Sequence, residues 1–144
     1  MLPKLLTYLK HEEQLISEMI NLSQKQQRAL VKYDIQELEQ ITAYQEETSK
    51  YMKEAEEQRI NLLMAWLKIS KKEAVSMWLS DLENVVHPEE LTEVRNIRLS
   101  LSKKLNALNA LNTTNRLLSN RAKNNVGQML SVFANGNHVC NVRV

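Results

Sequence analysis

Apolar residues in the first part of the chain recur every three or four positions: Leu5, Leu9, Ile16, Met19, Leu30 and Tyr33. Leu6, Leu15, Ile20, Leu22 and Ala29 widen this stripe to a face, and Glu12, Ser23 and Gln26 interrupt it. The period is that of an α-helix and not the alternation of a strand. The pattern predicts a helix from Pro3 to about Lys32, with the proline in the first turn, where an amide donor is not needed. Asp34 followed by Glu37 has the spacing of a capping box and opens a second helix. Its apolar positions are Ile35, Leu38, Ile41, Tyr44, Thr48, Tyr51, Met52, Ala55, Leu62, Leu63, Trp66 and Ile69. That is about 33 residues, or roughly 50 Å. So short a connection between two long helices makes them an antiparallel hairpin.

Ser70 and Glu73 repeat the capping spacing, so EAVSMWLSDLENVV, residues 73–86, reads as a short third helix closing one end of the hairpin. Trp66 and Trp78 fall on apolar faces and are expected to be core anchors there. Pro88, followed by Glu89 and Glu90, marks the start of a last helix that runs to about Ala134. Along it Leu91, Val94, Ile97, Leu101, Leu105, Leu108, Leu111, Leu118, Ala122, Met129, Val132 and Phe133 keep helical spacing. Asn135, Gly136 and Asn137 suit a left-handed cap. No glycine or proline lies between Pro3 and Pro88, or between Pro88 and Gly127, which leaves little room for strands joined by tight turns. The expected fold is all-α: an antiparallel long-helix hairpin, a short third helix and a long C-terminal helix. It forms one bundle domain over residues 1–134, followed by a flexible tail at 135–144.

The lengths do not match. A last helix of about 46 residues would span roughly 70 Å against roughly 50 Å for each hairpin arm. Either its final 12 to 15 residues project (roughly, by that rise) or it breaks within NTTNRLLSNRAKNNVG. Both outcomes leave Leu117, Leu118, Met129, Val132 and Phe133 poorly covered, and such an edge strip is a candidate partner site. Asn106, Asn109, Asn112 and Asn115 recur every third position and drift into the apolar stripe of the same helix. Asparagine is a poor helix-interior residue, so these positions serve either interhelical register or recognition of a partner, with register favoured.

Composition narrows the function. The 144 residues carry 19 basic and 17 acidic side chains, interspersed, and this excludes the basic stripe expected of a nucleic-acid binder. Acids stop after Glu93, and Arg95, Arg98, Lys103, Lys104, Arg116, Arg121 and Lys123, among the bases beyond it, read as a solvated face. Aromatic residues are only 5%, so the core is built mainly from Leu, Ile, Met and Ala. Cys140 is the sole cysteine, which rules out an internal disulfide. The N-terminal apolar run is too short for a signal peptide and no membrane-spanning run occurs, so a cytoplasmic protein without membrane insertion is expected.

His11, His87 and His138 are not paired with other ligands at a metal spacing, and no nucleophile elbow, phosphate loop or dinucleotide motif is present. The carboxylate pairs Glu12–Glu13, Glu46–Glu47 and Glu56–Glu57 are expected on exposed faces, where burial does not tune them. No enzyme, cofactor or metal is expected.

The segment QRALVKYDIQELEQITAYQEETSKYMKEAEEQR, residues 27–59, and NTTNRLLSN, residues 112–120, resemble the FlgN family of flagellar export chaperones. Arg28, Ala29, Leu30, Asp34, Leu38, Arg59, Asn112, Asn115, Leu117 and Leu118 fill the family's pattern of a long helix, a capped turn, a second helix ending in an arginine, and an Asn-x-x-Asn-x-Leu-Leu signature. The resemblance implies a cytoplasmic chaperone that binds the C-terminal amphipathic segments of the hook–filament junction proteins FlgK and FlgL. It would prevent their early assembly and deliver them to the export gate. It places the partner contacts in the C-terminal helical region, where Leu111, Asn112, Asn115, Leu117, Leu118, Ala122, Met129, Val132 and Phe133 are the candidates. Many members carry a tyrosine and an aspartate, then a glycine, near the C-terminus, whereas this chain has Phe133, Ala134, Asn135 and Gly136. A gate-docking role tied to that tyrosine is therefore not carried over. The alternative is a self-associating helical module, a homodimer using the same strip.

Overall fold

The computed structural model describes residues 1–125 and Arg143. Among the described residues the order is α1 (Leu2–Lys32), α2 (Ile35–Leu67), α3 (Lys71–Ser76), a 3₁₀ helix (Leu79–Asn84) and α4 (Leu91–Asn125). There is no strand among them. The caps read from sequence are in place: Asp34 Oδ1 accepts from the Glu37 amide at 3.1 Å, and Ser70 Oγ accepts from the Glu73 amide at 3.1 Å. The expected end of α4 at Ala134 lies outside the described residues, as do the glycines and the tail at 135–144 except Arg143, whose carbonyl accepts from the Leu79 amide at 3.1 Å.

Without glycine, the first two long helices end on residues forced into the left-handed region, Tyr33 (φ 55°, ψ 35°) and Lys68 (φ 53°, ψ 47°). The Asp34 amide then bonds to the Ala29 carbonyl at 3.0 Å and reverses the chain into α2. α1 is the central element, packed along both α2 and α4. Side-chain contacts fix the directions. Glu12 meets Arg59 and Gln26 meets Gln45, so α2 runs antiparallel to α1. Ser17 meets Lys104 and Ser23 meets Asn112, at separations of 87 and 89 residues, so α4 runs parallel to it.

The buried apolar residues fall into two clusters. The larger fills the end near the N-terminus, where Leu5, Leu9 and Ile16 of α1 pack with Met52, Ala55 and Leu63 of α2, Leu79 and Leu82 of the 3₁₀ helix, and Val94, Leu101 and Leu108 of α4. The smaller, around the α1–α2 turn, has among the described residues Ala29, Leu30, Leu38, Ile41 and Ala122 buried, with Leu22, Ile35 and Leu118 partly covered.

Several expectations need correction. The third helix is not continuous. It stops at Ser76, Met77 and Trp78 are extended, and a 3₁₀ helix begins at Leu79. The Asp81 carboxylate accepts from the Trp78 amide at 3.0 Å, which caps a new element where the periodicity implied the middle of an old one. Trp78 is consequently 50% exposed and is no core anchor, whereas Trp66 packs partly buried against the larger cluster. Tyr33, Tyr44 and Tyr51 are also exposed. Pro88 opens a turn that precedes α4 instead of its first helical residue. Arg59 lies within α2, which continues to Leu67, and does not end it.

The exposed-carboxylate expectation fails at Glu12. Its side chain is buried inside the bundle, where both carboxylate oxygens accept from Arg59 Nε at 2.9 and 3.1 Å. Burial pushes the Glu12 carboxyl above its usual range, opposed by the charge and hydrogen bond of Arg59.

Candidate partner-binding face

The seam that α4 turns to the bundle consists of Val94, Ile97, Leu101, Leu108, Asn115, Ser119 and Ala122, all buried. Beside it lies a second strip. At about 100° per residue, Ala107, Ala110, Leu111, Thr114, Leu117 and Leu118 share about 120° of arc. Leu111 and Leu118 are half-buried, and Ala107, Ala110, Thr114 and Leu117 are exposed, Leu117 at 60%. The strip contains no charge, and Arg116 and Arg121 are exposed on the same stretch of helix. A face of this kind can accept the apolar side of another helix.

The expected contact residues divide into three groups. Leu117 is open to a partner, with Leu111 and Leu118 at the edge, and Leu118 also packs on the smaller cluster. Asn112, Asn115 and Ala122 are turned to the hairpin instead. Asn115 Nδ2 donates to the Ser23 carbonyl at 2.8 Å and to Gln26 Oε1 at 3.1 Å, and Asn112 Oδ1 accepts from Ser23 Oγ at 3.3 Å. Ala122 is 1% exposed in the smaller cluster. Met129, Val132 and Phe133 lie outside the described residues. The favoured register role thus describes Asn112 and Asn115, while Asn106 and Asn109 are exposed. Ala107, Ala110 and Thr114 are not legible in the sequence as members of this strip, because small and hydroxylated side chains give no apolar signal of their own.

The register also locates the end of the support. The offset between α1 and α4 is 87 residues at Ser17–Lys104 and 89 at Ser23–Asn112 and Gln26–Asn115; carried on at 89 it sets Arg121 level with Lys32, the last residue of α1. α4 is an unbroken helix through Asn125, so it passes the last residue of α1 by about one helical turn within the described residues. No break occurs between 112 and 125; the remainder of the expected overhang lies outside the description.

Electrostatics hold the other half of α4 down. Arg95 and Arg98 reach Glu83 of the 3₁₀ helix at 3.4 and 3.0 Å. Lys104 Nζ bridges Glu13 and Ser17 of α1, both at 2.9 Å, and the Ser100 hydroxyl donates to Glu13. Partial burial pushes the Glu13 carboxyl up. The hydrogen bonds from Ser100 and Lys104, with the charges of Lys104 and Lys10, outweigh it and leave Glu13 below its usual range. Lys103, Arg116, Arg121 and Lys123 are exposed.

Among the described residues no group of three or more His, Cys, Asp or Glu side chains is placed to hold a metal ion, and no helix is long and apolar enough to cross a membrane. Neither the curated proteins nor the solved structures contain a significant match to the chain. The family model described as FlgN protein, by contrast, matches residues 1–140. A match over nearly the whole length, on a long-helix bundle with a capped hairpin turn, settles the relationship: the chain belongs to the FlgN family, whose general role is that of a flagellar export chaperone.

Proposed function

We propose that this protein is a cytoplasmic chaperone that captures the amphipathic C-terminal helices of the junction proteins FlgK and FlgL. It lays them on the C-terminal half of α4, holds them from premature assembly and delivers them to the export gate. The observation that carries this reading is the uncharged strip from Ala107 to Leu118 on a helix that passes its own support, in a chain of this family. Burying Leu117 with Leu111 and Leu118 against a partner removes apolar area from both helices, and a fully buried leucine contributes about 1.5–3 kcal/mol before ordering costs. Met129, Val132 and Phe133, outside the described residues, are included in the proposed site on their sequence spacing alone.

Titration calorimetry of the purified chain with C-terminal peptides of FlgK and FlgL tests the reading. A 1:1 complex is expected, and Leu117→Asp is expected to weaken it at least about tenfold, or about 1.4 kcal/mol, with helix content unchanged. Leu118→Asp is the poorer probe, because Leu118 also packs on the smaller cluster. Absence of binding, together with a tight dimer in light scattering that ignores both peptides, would replace the chaperone by the self-associating module.

A further inference from the structure

Between the two apolar clusters the bundle is polar. Gln26 Oε1 accepts from Gln45 Nε2 and from Asn115 Nδ2, each at 3.1 Å, so one side chain of α1 ties together α2 and α4. Ser23 bonds to Asn112 in the same layer, and Thr48 of α2 is also buried. The layer is not fully satisfied. Gln45 Oε1 and Asn115 Oδ1 are buried without a donor. A buried polar layer fixes register but contributes less than apolar packing, and unpaired acceptors cost further stability. Beyond it, among the described residues, the buried apolar side chains are Ala29, Leu30, Leu38, Ile41 and Ala122, against nineteen in the larger cluster. The buried ion pair Glu12–Arg59 and the Glu13–Lys104 and Glu83–Arg98 contacts all lie on the other side of the layer.

We infer that the bundle is built to open at this layer. The last turns of α4 separate from the α1–α2 turn as one cooperative unit of low stability, while the larger cluster stays intact. Opening exposes Leu118 and Ala122 on α4 together with Leu30, Leu38 and Ile41 on the hairpin. It frees the Asn112 and Asn115 amides, which the closed bundle turns inward. The consequence for capture rests on the chaperone reading: a partner's helix gains the full width of α4 only by driving this opening, so its affinity is set partly by the layer. The opening itself does not depend on that reading.

Native-state hydrogen exchange on the full chain without partner tests it. Amides of residues 23–48 and 112–122 are expected to exchange as one group, on the order of tenfold or more faster than those of residues 5–16 and 97–108. Ile41→Ala is expected to accelerate the first group and leave the second unchanged. Gln26→Leu/Gln45→Leu/Asn115→Leu, which joins the clusters, is expected to slow the first group toward the second. If that variant does not fold, the wild type and Ile41→Ala decide. Uniform protection of both ends, or equal acceleration of both by Ile41→Ala, would overturn the inference. A bundle that opens as described yet binds no junction peptide would refute only the chaperone reading.

Discussion

Glu12 and Arg59 are where single residues matter most. A buried ion pair adds little net stability, because desolvation cancels most of its attraction, but removing one member strands the other. Arg59→Leu is therefore expected to cost about 3–5 kcal/mol in denaturant unfolding, and Glu12→Leu/Arg59→Leu to recover most of that loss. The two neighbouring carboxylates respond to pH in opposite directions. Glu12, raised in the folded state, contributes stability below its ordinary value of 4.5 that is lost as pH rises through its folded value. Glu13, lowered, contributes stability above 4.5 that is lost as pH falls through its folded value. Glu13→Gln is accordingly expected to flatten the acid limb of the stability curve below about pH 4.5 while leaving the limb above it intact. Sequence marked Ser23 and Gln26 only as interruptions of the α1 stripe, and Glu12 as an interruption and an exposed carboxylate. They lie on the buried face, and what fills their sites comes from Arg59, Asn112, Gln45 and Asn115, 19 to 92 residues away, which no local pattern can supply.

At the scale of elements, helix starts were legible because their chemistry is local. Asp34 with Glu37 and Ser70 with Glu73 each complete a cap within four residues. The break at Met77–Trp78 was not legible, since it has neither glycine nor proline and its sole local mark is Asp81 three residues on. The absence of glycine has a consequence at the helix ends as well. Tyr33 and Lys68 occupy the left-handed region, where a Cβ crowds the following carbonyl. Both side chains are exposed, so little packing is lost on replacing them. Tyr33→Gly and Lys68→Gly are each expected to raise stability by about 0.5–1 kcal/mol, read from the denaturation midpoint. Ser70→Ala is expected to lower it by about 1 kcal/mol through loss of the Glu73 cap.

The whole molecule is a central helix with one neighbour antiparallel and one parallel to it, well packed at one end and polar in the middle. The long hairpin and long last helix followed from periodicity and length; the overhang expected from comparing those lengths lies mostly outside the described residues, within which α4 has 35 residues against 31 in α1 and 33 in α2. The division of the core did not, because it depends on which polar positions of three helices meet at one level. That division separates the jobs of α4: from Val94 to Leu108 it is anchored by the larger cluster and by Glu13 and Glu83, and from Ala107 to Leu118 it carries the candidate face, whose far end is held, among the described residues, by the polar layer and the smaller cluster. Hydrogen exchange of the 1:1 complex with a FlgK C-terminal peptide tests this most directly. New protection is predicted on α4 from Leu111 onward, with faster exchange around Ala29 and Leu38 of the hairpin and no change around Leu5, Ile16 and Leu101. A footprint on the well-packed end, or none on α4, would contradict it.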